Sequence, residues 1–73
     1  MAENKRFKFT LVFKFNFNDD VITYKTIRYC TDLELMIFYA HDWLEKYGEK
    51  YGEWTVVEIY EDITLVSLIV NDE

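Results

Sequence analysis

From Arg6 to Phe17 the chain alternates apolar and polar residues almost without a break. Phe7, Phe9, Leu11, Phe13, Phe15 and Phe17 point one way, and Lys8, Thr10, Val12, Lys14 and Asn16 point the other. A period of two over twelve residues specifies a half-buried β-strand, because successive strand side chains leave on opposite faces. Asn18-Asp19-Asp20 follows as a turn cluster, since Asn and Asp tolerate the positive φ of tight hairpins. Residues 21–30 are β-branched and aromatic and form the return strand. A two-residue loop at Asn18-Asp19, the preferred register, opposes Phe15 to Ile22 and Phe13 to Tyr24. It places Ile22, Tyr24, Thr26 and Cys30 on the phenylalanine face; a three-residue loop would place Val21, Ile27 and Tyr29 there instead.

Thr31-Asp32-Leu33-Glu34 matches a capping box, with Thr31 as N-cap and Glu34 reaching back. The helix it opens is expected to run from about Asp32 to Tyr47 and to stop at Gly48. Its apolar stripe is Leu33, Met36, Ile37, Ala40, Trp43, Leu44 and Tyr47. After the linker Glu49–Glu53, Trp54 to Tyr60 and Ile63 to Val70 are strands. Glu61-Asp62 between them is either a tight turn or a charged step in one long strand. The expected fold is therefore α+β: an antiparallel sheet of three or four strands, ββαβ or ββαββ, with one helix packed on one face. No linker or low-complexity tract divides residues 1–73, so they form a single domain.

That architecture leaves apolar residues over. Hydrophobic residues make up 51% of the 73 positions, and one short helix covers one sheet face only. Val12, Ile27 and Tyr29 belong to the other face, and Trp54, Val56 and Tyr60 cannot all face the helix together with Val57 and Ile59. On the helix, Leu35, Phe38 and Tyr39 lie opposite the apolar stripe. Soluble monomers seldom expose such areas, which predicts a protein partner or self-association as a homodimer.

Catalytic chemistry is poorly supplied. One Cys and one His exclude a disulfide framework and an ordinary structural zinc site. Cys30 ends strand two as a structural thiol, His41 lies about three turns into the helix, and Ser67 sits in an apolar strand. There is no Gly-rich phosphate loop, no HExxH and no CxxC. No catalytic residue, metal site or cofactor is expected, and the chain reads as a non-enzyme. The stretch Glu3 to Lys8 leads into alternating, not continuous, apolar residues. This predicts a cytoplasmic protein without a signal peptide or membrane span.

The net charge of −6 hides an asymmetry. Residues 1–30 carry six bases and three acids, whereas residues 31–73 carry two bases and eleven acids. Asp42, Glu45 and Glu49 recur at helical spacing, and Glu53, Glu58, Glu61 and Asp62 follow. These carboxylates, with Leu35, Phe38 and Tyr39 as apolar anchors, form the candidate surface for docking in a basic groove. Lys8, Lys14 and Lys25 share the outer face of the first hairpin with Tyr29, an arrangement able to track a nucleic-acid backbone. The acidic balance opposes that use, and lysines there also guard a sheet edge.

Phe-x-Phe strands, a capped helix and the segment Glu53-Trp54-Thr55-Val56-Val57-Glu58-Ile59-Tyr60, in a tiny acidic aromatic-rich chain, resemble small accessory proteins of bacteriophages. Those include host-takeover and anti-defence inhibitors, and the element order is similar in plan to phage inhibitors of uracil-DNA glycosylase. The resemblance is one of plan over the whole chain, so no functional residue is carried over. It implies a protein that binds and inhibits a host protein in the host cytoplasm. The competing expectations are a structural or regulatory homo-oligomer and a nucleic-acid binder using the first hairpin.

Overall fold

The computed structural model describes residues 5–71, without the side chains of Glu49 and Tyr51. Five elements follow one another: β1 (Phe7–Phe17), β2 (Asp20–Cys30), α1 (Leu33–Tyr51), β3 (Glu53–Glu61) and β4 (Thr64–Val70). The strands pair antiparallel in one sheet of order β2-β1-β3-β4, with α1 on one face. This is the expected α+β fold, in the ββαββ order rather than ββαβ.

The first hairpin has the two-residue loop. Asn18 and Asp19 adopt φ of 51° and 67°, the left-handed pair that matches the twist of the flanking strands. Phe15 accordingly faces Ile22 and Phe13 faces Tyr24. The second hairpin turns at Asp62-Ile63, one residue later than the charged pair Glu61-Asp62. Glu61 pairs with Thr64, and Asp62 takes the positive φ of 58° that a β-branched Ile63 would resist.

β1 is central, and its phenylalanine face is the floor of the core. Phe9, Leu11, Phe13 and Phe15, with Val57 and Ile59 of β3, are buried beneath Met36, Ala40, Trp43 and Leu44 of α1. Each of the Val, Leu, Ile, Phe and Met side chains among them contributes about 1.5–3 kcal/mol by leaving water. A bulge in β3 decides which residues join them. Val56 opposes Lys14 and Trp54 opposes Phe15, leaving Thr55 as the extra residue, whose hydroxyl donates to the Lys14 carbonyl at 3.2 Å. Val57 and Ile59 thereby face the helix with Trp54, while Val56, Glu58 and Tyr60 face away.

Both helix ends differ from the sequence expectation. The N-cap is Asp32, not Thr31: its carboxylate accepts from the Glu34 N–H at 3.0 Å. The helix also runs through Gly48 and ends at Gly52, which has φ 100°. Gly48 keeps helical geometry and is buried, whereas a Cβ on Gly52 would lie 2.7 Å from the Asn16 carbonyl oxygen. The close crossing of the chain past the end of β1 needs glycine at Gly52, and nothing comparable acts at Gly48.

Candidate protein-binding surface

On α1, the outward row Leu35, Phe38, Asp42 and Glu45 steps by three, four and three residues, so the four lie along one exposed stripe. Phe38 is 75% exposed and Leu35 is 51% exposed, large values for apolar side chains in a chain with a packed core. The apolar pair occupies the first half of the helix and the carboxylates the second. A shallow groove of about 400 Å³, lined by Glu34, Ile37, Phe38 and His41, runs beside the row.

Tyr39 is not part of it. Its ring lies 5.1 Å beneath the Arg28 guanidinium, and its hydroxyl accepts from Arg28 Nε at 3.0 Å. Tyr39 is therefore half-buried against β2 and closes one side of a groove of about 470 Å³ with Tyr24, Arg28, Asp42, Trp43, Lys46 and Tyr47. Nothing in the residue type of Arg28 alone marks it as part of this surface. Its strand parity does, because it shares the helix-side face with Tyr24 and Thr26. In the same groove Lys46 donates to Asp42 at 3.1 Å. That hydrogen bond, with the carboxylate's charge, raises the ammonium's pKa above its ordinary value.

The remaining carboxylates do not join the helix row. Glu53 opens β3, exposed, opposite Asn16. Glu61 ends β3, half-buried, opposite Phe9. Asp62 is in the exposed turn. Glu58 faces away from the helix, where it meets Lys14 at 3.4 Å and accepts from the Tyr60 hydroxyl at 3.3 Å. The side chain of Glu49 lies outside the described residues. Among the described side chains the acidic array is thus split between the two sides of the sheet, and Asp42 and Glu45 are the members beside the apolar pair Leu35 and Phe38.

The sheet face away from the helix has no covering layer among the described residues. Val12, although on that face, is only 6% exposed, flanked by Lys25 and Glu58 as cross-strand partners. Lys14 and Lys25 do share this face, in a basin also lined by Thr10, Thr23, Tyr60 and Asp62. Glu58 and Asp62 sit among those lysines and weaken the field a phosphate backbone would need. Cys30 is a half-buried thiol against the core, and His41 is exposed on α1. No group of three or more His, Cys, Asp or Glu arranged to hold a metal occurs among the described residues. No helix among them is long and apolar enough to cross a membrane. Compared with known proteins, the chain matches no family model, no curated protein and no solved structure.

Proposed function

We propose that this chain is a non-catalytic protein-binding protein that docks the outer row of α1 into a basic, apolar-floored groove of another protein and blocks it. The exposure of Phe38 in line with Leu35, Asp42 and Glu45 carries this reading. An amphipathic row at spacings of three and four residues is how a helix enters a groove. The apolar pair supplies the anchor, and the carboxylates supply orientation and steering. The resemblance in plan to phage inhibitors supports a host protein as the target. The test compares bacterial-lysate capture by the native chain with capture by Leu35→Glu/Phe38→Glu and by Asp42→Lys/Glu45→Lys, all checked for folding by far-UV circular dichroism. Proteins held by the native chain and lost by both variants, with retention falling as salt rises, support the reading. Equal capture by all three chains removes it.

A further inference from the structure

The two edges of the sheet are chemically unlike. β2 at one edge carries Asp20, Lys25 and Arg28, charges of the kind that keep an edge strand from pairing with another chain. β4 at the other edge carries none. Residues 63–71 are nine consecutive positions without Asp, Glu, Lys or Arg, the longest such run in a chain with 30% charged residues. An exposed strand is where a soluble protein is expected to concentrate charge, and here the outermost strand holds the least.

β4 is also held extended. From Ser67 to Val70 it pairs without interruption against Ile59 to Val56. Asn71 continues it, its N–H donating to the Thr55 carbonyl at 3.0 Å and its side-chain amide to the Trp54 carbonyl at 2.8 Å. The register shift at Ile59/Tyr60 leaves Val66 as an extra residue, so irregularity is confined to the turn-proximal half. Along the regular half, one side of the backbone faces β3, and the N–H and C=O groups of the other side face outward. Leu65, Leu68 and Val70 are each about half exposed.

We infer that β4 is a strand-pairing edge and that its occupant is β4 of a second copy, antiparallel about a two-fold axis, giving a continuous eight-stranded sheet. Outward N–H and C=O groups at strand spacing are matched by another extended backbone. A charged strand laid there would bury its charge beside Leu68 and Val70 with no counter-ion from β4. Of this chain's two edge strands, only β4 itself meets that condition. The contact is self-complementary, as a closed two-fold interface requires. It also sets Leu65, Leu68 and Val70 beside the same residues of the second copy, because opposed residues of an antiparallel pair share a face. Each copy carries −6 while the contact carries no charge, so salt strengthens it by screening the repulsion of the two bodies. The partner docking proposed for α1 has the opposite salt dependence, and the two readings fail separately.

The experiment is sedimentation equilibrium of the full chain over a concentration series, with hydrogen exchange of the β4 amides at both ends of the series. The expected result is a mass that doubles with concentration and more with added salt, together with slowed exchange within residues 66–70 in the dimer. Leu68→Lys/Val70→Lys should remain monomeric, and Ile27→Lys, at a similarly exposed position of β2, should dimerise normally, both with unchanged far-UV circular dichroism. A monomer at every concentration overturns the proposal. So does a dimer that survives the β4 charges, is broken by Ile27→Lys, or leaves the β4 amides unprotected. If the β4 double variant loses its fold, Leu68→Thr, which brings a strand-favouring β-branched side chain without charge, should still dimerise more weakly than the native chain. An unchanged association constant for it counts against the edge.

Discussion

The rings of Phe13 and Trp43 stack with centroids 4.3 Å apart and planes inclined by 29°. Phe13 comes from the middle of β1 and Trp43 from the middle of α1, so this one contact joins sheet to helix at the centre of the core. Trp43 also stacks on Tyr24 of β2 at 5.3 Å and meets Tyr47 at 5.1 Å. One indole therefore links the helix to two strands. A chain of this size is expected to be stable by roughly 5–10 kcal/mol, and truncating a buried aromatic costs about 3–5 kcal/mol. Trp43→Ala should remove half or more of the stability in urea unfolding, while Trp43→Phe, which retains a stacking ring, should lose distinctly less. Equal midpoints for the two variants would show that the stack is not the linchpin.

The two glycines should respond to alanine with opposite signs. At Gly48 an added Cβ meets only Trp54 Cδ1, at an ordinary 3.8 Å, and alanine lowers the entropy of the unfolded chain. Gly48→Ala should stabilise the protein by about 0.5–1 kcal/mol. At Gly52 the same methyl carbon meets the Asn16 carbonyl oxygen at 2.7 Å on a backbone with φ 100°. Gly52→Ala should destabilise by about 1–3 kcal/mol. Thermal melts of the two single variants decide the matter, and a shift in the same direction for both refutes the assignment of the helix end.

These glycines also show where sequence reasoning succeeds and where it stops. The alternation Phe7–Phe17 and the dipeptide Asn18-Asp19 carry the first hairpin and its register, because period and turn chemistry are local. A glycine directly after the apolar stripe, as at Gly48, is the local pattern of a helix end. What places the end at Gly52 is the approach of the chain to Asn16, thirty-six positions away in sequence, which no local pattern contains. The placement of the carboxylates is non-local for the same reason. Asp42 and Glu45 share a helix face by spacing alone, but which side of the sheet Glu58 faces depends on the β3 bulge at Thr55. The uncharged stretch of β4 was visible in the sequence, and only the strand order β2-β1-β3-β4 makes it an edge.

The helix start should be sensitive at Asp32 and not at Thr31. Asp32 both accepts from the Glu34 N–H and places negative charge at the positive end of the helix dipole. Asp32→Ala should cost about 1 kcal/mol, and Asp32→Asn less, because the amide oxygen still accepts the bond. Thr31→Ala should fall within about 0.5 kcal/mol of the native chain. Chemical denaturation of the three variants measures this directly, and a larger loss at Thr31 than at Asp32 would return the cap to the threonine.

The Asp42–Lys46 pair yields a pH-dependent prediction with a defined sign. Asp42 raises the Lys46 pKa, first by accepting its hydrogen bond and then by charge. A group whose pKa is higher folded than unfolded adds stability while it is protonated. Its contribution is complete at neutral pH and disappears as the pH climbs through the raised value. Both side chains are solvent-exposed, so salt should reduce the effect. Following the Lys46 methylene next to the ammonium by NMR titration should show a downward pKa shift on Asp42→Asn. An unchanged titration would mean the pair is not populated in solution. The same pair bears on the proposed docking row, because Lys46 competes with any basic partner for the Asp42 carboxylate. Lys46→Met should therefore tighten capture of a protein that Asp42→Lys/Glu45→Lys releases. A loss of capture on Lys46→Met would instead make Lys46 part of the contact and turn the groove beside Tyr39 toward the partner.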